Sequence, residues 1–189
     1  MENLEIEFKV IINKEDFHKL EKIMEEYEYE LFEQVNTYYD SKEETLEKNK
    51  VSLSIRSIIN KNIYITTLKE TKKVGKLEHE FEVKGNDVKY LPDEIIQILD
   101  SNNVSINDLC VVGELKTIRK EYKYNNCVLC LDHNFYYGKE DYEIECEAKS
   151  MQEAVNTITC LLLLNKIPFV KSKYSKQARA RRQYKIENI

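Results

Sequence analysis

Six stretches of this chain alternate polar or charged residues with apolar ones, so that each would carry its charge on one face of a strand. The polar faces read Glu5, Glu7 and Lys9; Ser52, Ser54 and Arg56; Thr67 and Lys69; Glu78, Glu80, Glu82 and Lys84; Thr117, Arg119, Glu121 and Lys123; and Glu143, Glu145, Glu147 and Lys149. The opposite faces are apolar, as in Leu53 and Ile55, Leu77, Phe81 and Val83, and Tyr142, Ile144 and Cys146. A chain built this way makes a sheet with one apolar and one charged face.

The remaining elements follow from caps and turns. Leu4 to Ile12 reads as one strand, and Asn13 then caps a helix running to about Glu30 on the stripe Phe17, Leu20, Ile23, Met24 and Tyr27. Gln34 to Asp40 reads as a second strand. Val51 to Ile59 and Ile63 to Glu70 form a hairpin around Asn60-Lys61-Asn62, and Lys76 to Lys84 follows a turn near Gly75. Pro92 to Leu99 and Ile106 to Val112 read as short helices. Lys116 to Tyr124 and Cys127 to Phe135 make another hairpin, and Tyr142 to Lys149 is a strand. Ser150 with Glu153 forms a capping box for a helix to about Asn165. The basic tail from Phe169 is expected to end in a strand or an irregular pass. The expectation is α+β with an antiparallel sheet of about eight strands.

Composition narrows the function. With 189 residues, four Gly and two Pro, the chain reads as one domain, 1–189, without a flexible linker. A net charge of −5 does not advertise a polyanion partner, so any phosphate site must come from local Lys and Arg, and no nucleic acid is expected. No signal peptide and no membrane-length apolar run is read. Five cysteines, an odd number, suggest reduced thiols, and a cytoplasmic location is expected. Cys127-x-x-Cys130 has no second pair and lies in a strand, where the two side chains point to opposite faces, so it is read as structural. His18, on a helix, His79, on the apolar parity, and His133, opposite to Asp132, are not read as general bases.

Two readings of the charged face compete. It is the solvated side of a half-covered sheet, or the sheet closes and the face becomes a polar lumen with helices outside. Residues i and i+2 share a strand face, so Glu5 with Glu7, and Glu143 with Glu145, form pairs able to grip a cation. Nearby Lys and Arg would suit phosphate oxygens.

Glu5-Ile6-Glu7-Phe8-Lys9 resembles the Glu-x-Glu-x-Lys signature of the CYTH family, the triphosphate tunnel metalloenzymes. The resemblance continues in order through Thr37-Tyr38-Tyr39-Asp40, Leu53-Ser54-Ile55-Arg56, Thr67-Leu68-Lys69, Gly75-x-Leu77-Glu78, Arg119, Leu131-Asp132, Tyr136-Tyr137-Gly138 and Asp141-Tyr142-Glu143-Ile144-Glu145. It ends in the basic tail, with Ser172-Lys173, Lys176 and Arg179. It spans essentially the whole chain and is nearest the short stand-alone bacterial members.

This resemblance implies a closed eight-stranded antiparallel β-barrel with a polar lumen and helices packed outside. It implies hydrolysis of inorganic tripolyphosphate, thiamine triphosphate or another small triphosphate with Mg²⁺ or Mn²⁺. A separate branch cyclises ATP to cyclic AMP, and a non-catalytic polyphosphate or nucleotide binder is a third class. By resemblance, Glu5, Glu7, Glu143 and Glu145 hold metal, with Asp132 and Glu80 as further candidates. Lys9, Arg56, Lys69, Arg119, Lys173, Lys176 and Arg179 hold phosphate. Glu5, Glu7, Lys9, Arg56 and Lys69 form the catalytic set. The expected partner is a small-molecule triphosphate, without a membrane, and a homodimer is compatible with the reading. Two positions depart from the family pattern: Ser54 stands where an Arg is common, and Glu78 stands where another could fall.

Overall fold

The alternating stretches pair into antiparallel strands, ten among the described residues, interspersed with five α-helices. The structure is a computed structural model and describes residues 2–73 and 75–188, with the backbone alone for Glu2 and Asn3. In chain order the elements are β1 (Glu2–Glu5), β2 (Glu7–Ile12), α1 (Lys14–Ile23), β3 (Tyr29–Ser41), α2 (Thr45–Lys48), β4 (Val51–Ile58), β5 (Ile63–Thr71), β6 (Lys76–Val83) and α3 (Asp93–Ser101). They continue with β7 (Leu109–Tyr124), β8 (Cys127–Tyr136), β9 (Lys139–Glu147), α4 (Met151–Leu164), β10 (Val170–Lys171) and α5 (Lys176–Glu187). Eight expected strands become ten because the first one breaks at Ile6 and the two-residue β10 is added. Among the described residues no helix is long and apolar enough to cross a membrane.

The chain divides into two compact units. One comprises Met1–Glu5, Gln34–Leu115 and Lys176–Ile189; the other comprises Ile6–Glu33 and Lys116–Ser175. In the first unit the strand order is β1-β6-β5-β4-β3, followed by β7. The apolar face of these strands, with Tyr39, Leu53, Ile55 and Leu68, packs on Leu46 of α2 and on Ile95 and Leu99 of α3. In the second unit the order is β7-β8-β9-β2-β10. Its core joins Val10, Leu129, Leu131 and Ile144 to Phe17 and Leu20 of α1 and to Ile158, Leu161 and Leu162 of α4. Both helix starts read from the sequence are present. Asn13 Oδ1 accepts the Asp16 amide at 2.8 Å, and Ser150 Oγ accepts that of Glu153 at 3.2 Å.

Three expectations are corrected. The first helix stops at Ile23 and not near Glu30, and the chain re-enters a strand at Tyr29. Glu25, Glu26, Glu28 and Glu30 would place four negative charges at the negative end of a longer helix. Tyr27 instead sets its ring edge-on to Tyr124, 5.4 Å between centroids. The segment Ile106–Val112 forms only a 3-10 turn at Ile106–Asp108 before β7 begins, because its apolar run with two adjacent valines suits a strand. The tail forms a twelve-residue helix, α5, with only Ala180 and Arg181 buried. No apolar stripe announces it.

The charged strand faces are buried in part, while Glu82, Lys84, Lys123, Glu147 and Lys149 at their ends are exposed. Asp132 and Glu143 are 0% exposed, Glu145 7% and Glu5 9%, and Thr67 and Thr117 are buried with them. Reading the charged face as simply wet does not hold for these buried positions.

Candidate functional site

Strand register assembles one charged cluster in each unit. In the second unit, β2 pairs with β9 so that Lys9 faces Glu145, and β8 pairs with its neighbours so that Asp132 lies between Glu143 and Arg119. Lys9 Nζ is 2.8 Å from Glu7 Oε2 and 2.8 Å from Glu145 Oε1. Glu145 Oε2 accepts from Arg119 Nη2 at 2.5 Å, and the Arg119 guanidinium is also held by Asp132. Acid and base thus alternate from Glu7 through Lys9, Glu145 and Arg119 to Asp132. Burial works against the Arg119 charge, but Asp132 and Glu145 outweigh it and hold the guanidinium well above its ordinary range. Cys130 shares this strand face, and burial pushes its thiol far up, so it is not a nucleophile. Cys127 lies on the other face, in the apolar core.

In the first unit, β5 and β6 set Lys69 opposite Glu78, and Thr67 opposite Glu80. Lys69 Nζ is 2.8 Å from Glu5 Oε1 and 3.0 Å from Glu78 Oε1, and Thr67 Oγ1 donates to Glu80 Oε1 at 3.2 Å. Glu78, the departure from the family pattern, gives Lys69 a second carboxylate. Arg56 donates from Nε to Asn36 Oδ1 at 3.3 Å. Ser54, the other departure, stands in register between Tyr38 and Thr67. Burial raises the pKa of the Tyr38 hydroxyl, while the charges of Lys176, Arg56, Lys69 and Arg179 pull it back. The charges of four phosphate candidates thus act on one buried side chain.

Lys173 is the exception among the basic residues. It is exposed between β10 and α5, its Nζ 5.4 Å from the centre of the Tyr174 ring. The three histidines pair with carboxylates outside the two clusters: His18 with Glu21, His79 with Glu70 and His133 with Glu140. Sequence reasoning missed Lys76, whose Nζ lies 3.8 Å from Glu5 Oε2. Its parity with Glu78 and Glu80 was the available signal. Tyr38 was also missed as a gathering point.

The residues suit a hard divalent cation in one specific respect. Glu5 Oε2 is buried and accepts no hydrogen bond, and Lys76 approaches it only at ion-pair distance. A buried carboxylate oxygen left in that state is costly unless something binds it. The other donors are carboxylates too, the ligand type that Mg²⁺ and Mn²⁺ prefer. Among the described residues, no three His, Cys, Asp or Glu side chains already converge on an ion position.

The CYTH domain profile matches residues 3–178. The chain belongs to the CYTH family. It is 31% identical over 171 residues to the Bacillus subtilis (strain 168) protein "Putative triphosphatase YjbK", covering 88% of this chain and 89% of that one. A Bacillus halodurans structure described as a "putative adenylate cyclase" superposes with a TM-score of 0.81 at 31% identity, covering 93% of this CYTH chain and 97% of that one. The Hippeastrum protein HpAC1 superposes at 0.76 with 21% identity over 92% of this chain and 93% of its own, and at that identity it shows the fold alone.

Proposed function

We propose that this CYTH chain is a metal-dependent triphosphatase acting on inorganic tripolyphosphate or a related small triphosphate. The observation that carries the reading is the burial of acid–base networks on the strand faces, with Asp132 and Glu143 fully enclosed. Burying ionised groups costs several kcal/mol each, even after relaxation. A fold that keeps them there, lined by Lys and Arg, suits a highly charged ligand and its counter-ion. The 31% identity to the relative named "Putative triphosphatase YjbK" points the same way. Closure of the strands into an eight-stranded tunnel is part of this proposal. It is supported by membership of the CYTH family.

Glu5, Glu7, Glu143 and Glu145 would hold Mg²⁺ or Mn²⁺, with Asp132 and Glu80 as further oxygen donors. The bound ion supplies charge neutralisation at the phosphoryl oxygens. The chain's own part is positioning. Arg56, Lys69, Lys176 and Arg179 in one unit, and Lys9, Arg119 and Lys173 in the other, bind and orient phosphate oxygens. Phosphoryl transfer depends mostly on such placement and on electrostatics. No side-chain nucleophile is needed, and water is the attacking group.

The test is phosphate release from tripolyphosphate, thiamine triphosphate and ATP, each with Mg²⁺, Mn²⁺ or a chelator. Release that stops on chelation supports the reading. Binding without turnover in every metal would make the protein a non-catalytic polyphosphate binder. The Bacillus halodurans likeness favours one second reading, cyclisation of ATP, and formation of cyclic AMP in the ATP arm would establish it instead.

A further inference from the structure

α5 is held in an unusual way. A twelve-residue helix is marginal in water by itself and normally docks through an apolar stripe. Here the buried residues are Ala180 and Arg181. Asp40, at the end of β3 and 1% exposed, receives the arginine. Its Oδ1 accepts the amides of Ser41 at 2.8 Å and Leu46 at 2.9 Å, and its Oδ2 accepts the amide of Glu47 at 3.1 Å and Arg181 Nη1 at 3.0 Å. One carboxylate therefore ties the end of β3, the start of α2 and the middle of α5.

The arginine is gripped from further sides. Its Nη1 is 2.8 Å from Glu47 Oε2, and its Nη2 is 3.1 Å from Glu44 Oε1. Lys185, one turn on, pairs with Glu44 as well. The helix backbone also rests on β7. A Cβ at Gly113 would stand 3.0 Å from the Arg181 nitrogen and 3.2 Å from the carbonyl carbon of Ala180. The first turn of the same helix carries Lys176 and Arg179, whose charges reach Tyr38 together with those of Arg56 and Lys69.

We propose that Arg181, anchored on Asp40, is a positioning residue: the latch fixes α5 so that Lys176 and Arg179 join Arg56 and Lys69 as a preformed binding set for a polyphosphate chain. The inference rests on the triphosphatase reading and deepens it. Arg181 itself touches no substrate. Its Nη1 and Nη2 ion-pair with Asp40, Glu44 and Glu47, a spread of contacts that a single ammonium would not reproduce, although Nε and Nη2 donate no hydrogen bond. Preorganising two cations lowers the cost of binding, so the latch acts on affinity more than on turnover.

The full-length protein decides this. Arg181→Gln should raise both the tripolyphosphate Kd, by calorimetry in chelator, and the KM for phosphate release by ~10-fold, with kcat within ~3-fold. Arg181→Lys should recover part of that loss. Removing Lys176 and Arg179 in the Arg181→Gln background should cost less than in the wild type, because the latch acts through them. Gly113→Ala presses on α5 while leaving Asp40 and Arg181 intact, and it should weaken binding in the same direction. If Arg181→Gln does not fold, Arg181→Lys and Gly113→Ala carry the test, and unchanged affinity in both overturns the inference. Additive losses, or equal falls in kcat with KM unchanged, overturn it too. A wild type that neither binds nor hydrolyses tripolyphosphate sinks the triphosphatase reading and the inference with it. A wild type that does both, beside an Arg181→Gln variant that matches it, sinks the latch alone.

Discussion

Arg119 forks onto Asp132, with Nε 2.8 Å from Oδ1 and Nη2 2.7 Å from Oδ2, and the aspartate side chain is 0% exposed. The two sit opposite each other on β7 and β8, so the strand register brings the pair together. Removing Asp132 leaves the Arg119 guanidinium, 17% exposed, with Glu145 as its remaining carboxylate. Asp132→Ala should therefore lower stability by about 2–3 kcal/mol, the loss of the charge-assisted hydrogen bonds. Arg119→Lys keeps the charge but loses the fork, and should cost about 1–2 kcal/mol. Urea unfolding of both variants measures this. An Asp132→Ala protein within about 1 kcal/mol of the wild type would show that the pair is not effectively buried.

Glu5 has one oxygen on Lys69 and the other without a hydrogen bond. Glu5→Gln should reduce metal-dependent phosphate release by ~100-fold or more while leaving the fold intact. Folding survives because Lys69 keeps Glu78 at 3.0 Å. The measurement is turnover across a Mn²⁺ and Mg²⁺ titration, with circular dichroism as the folding control. Full activity in the variant would remove Glu5 from the proposed metal set.

Much of this was legible in the sequence because strand parity is rigid. Once Lys9 and Glu145 are placed on strands, their side chains can point only to one face or the other, and the register completes the contact. The helices of the core were equally readable from Asn13, Ser150 and their apolar stripes. What failed lacked a periodic signal. α5 has a basic, nearly stripeless sequence, and its docking rests on Arg181 meeting Asp40, 141 positions earlier in the chain. No local pattern encodes such a contact. The break at Ile6 was hidden as well, because both halves of Leu4 to Ile12 continue the same alternation. Only their different partners, β6 and β9, separate them.

The five cysteines should differ sharply in reactivity. All are free thiols, and only Cys160 is exposed. Burial pushes the Cys146 thiol up to about 12 and the Cys130 thiol higher still, so neither offers thiolate near neutral pH. Native protein treated with iodoacetamide at about pH 8 should label first at Cys160, by peptide mass spectrometry. Cys130 and Cys146 should label only after denaturant is added. Early labelling at Cys130 would contradict its buried place on the charged strand face.

Glu21 on α1 provides a pH-dependent test. Burial would raise its pKa, but Lys120 Nζ at 2.9 Å and His18 Nδ1 at 2.7 Å outweigh that and hold it below the ordinary 4.5. The folded protein thus binds this proton less readily than the unfolded chain does. The stabilisation is present above 4.5 and is lost as pH falls through the lower folded value. The side chain is 24% exposed, so solvent screens the pair and the effect is modest. Glu21→Gln should cost about 0.5 kcal/mol near pH 6 and almost nothing near pH 2. Urea midpoints for the two proteins across that range give the comparison. A gap that stays constant down to the acid end would mean that packing of the side chain, and not its charge, accounts for the loss.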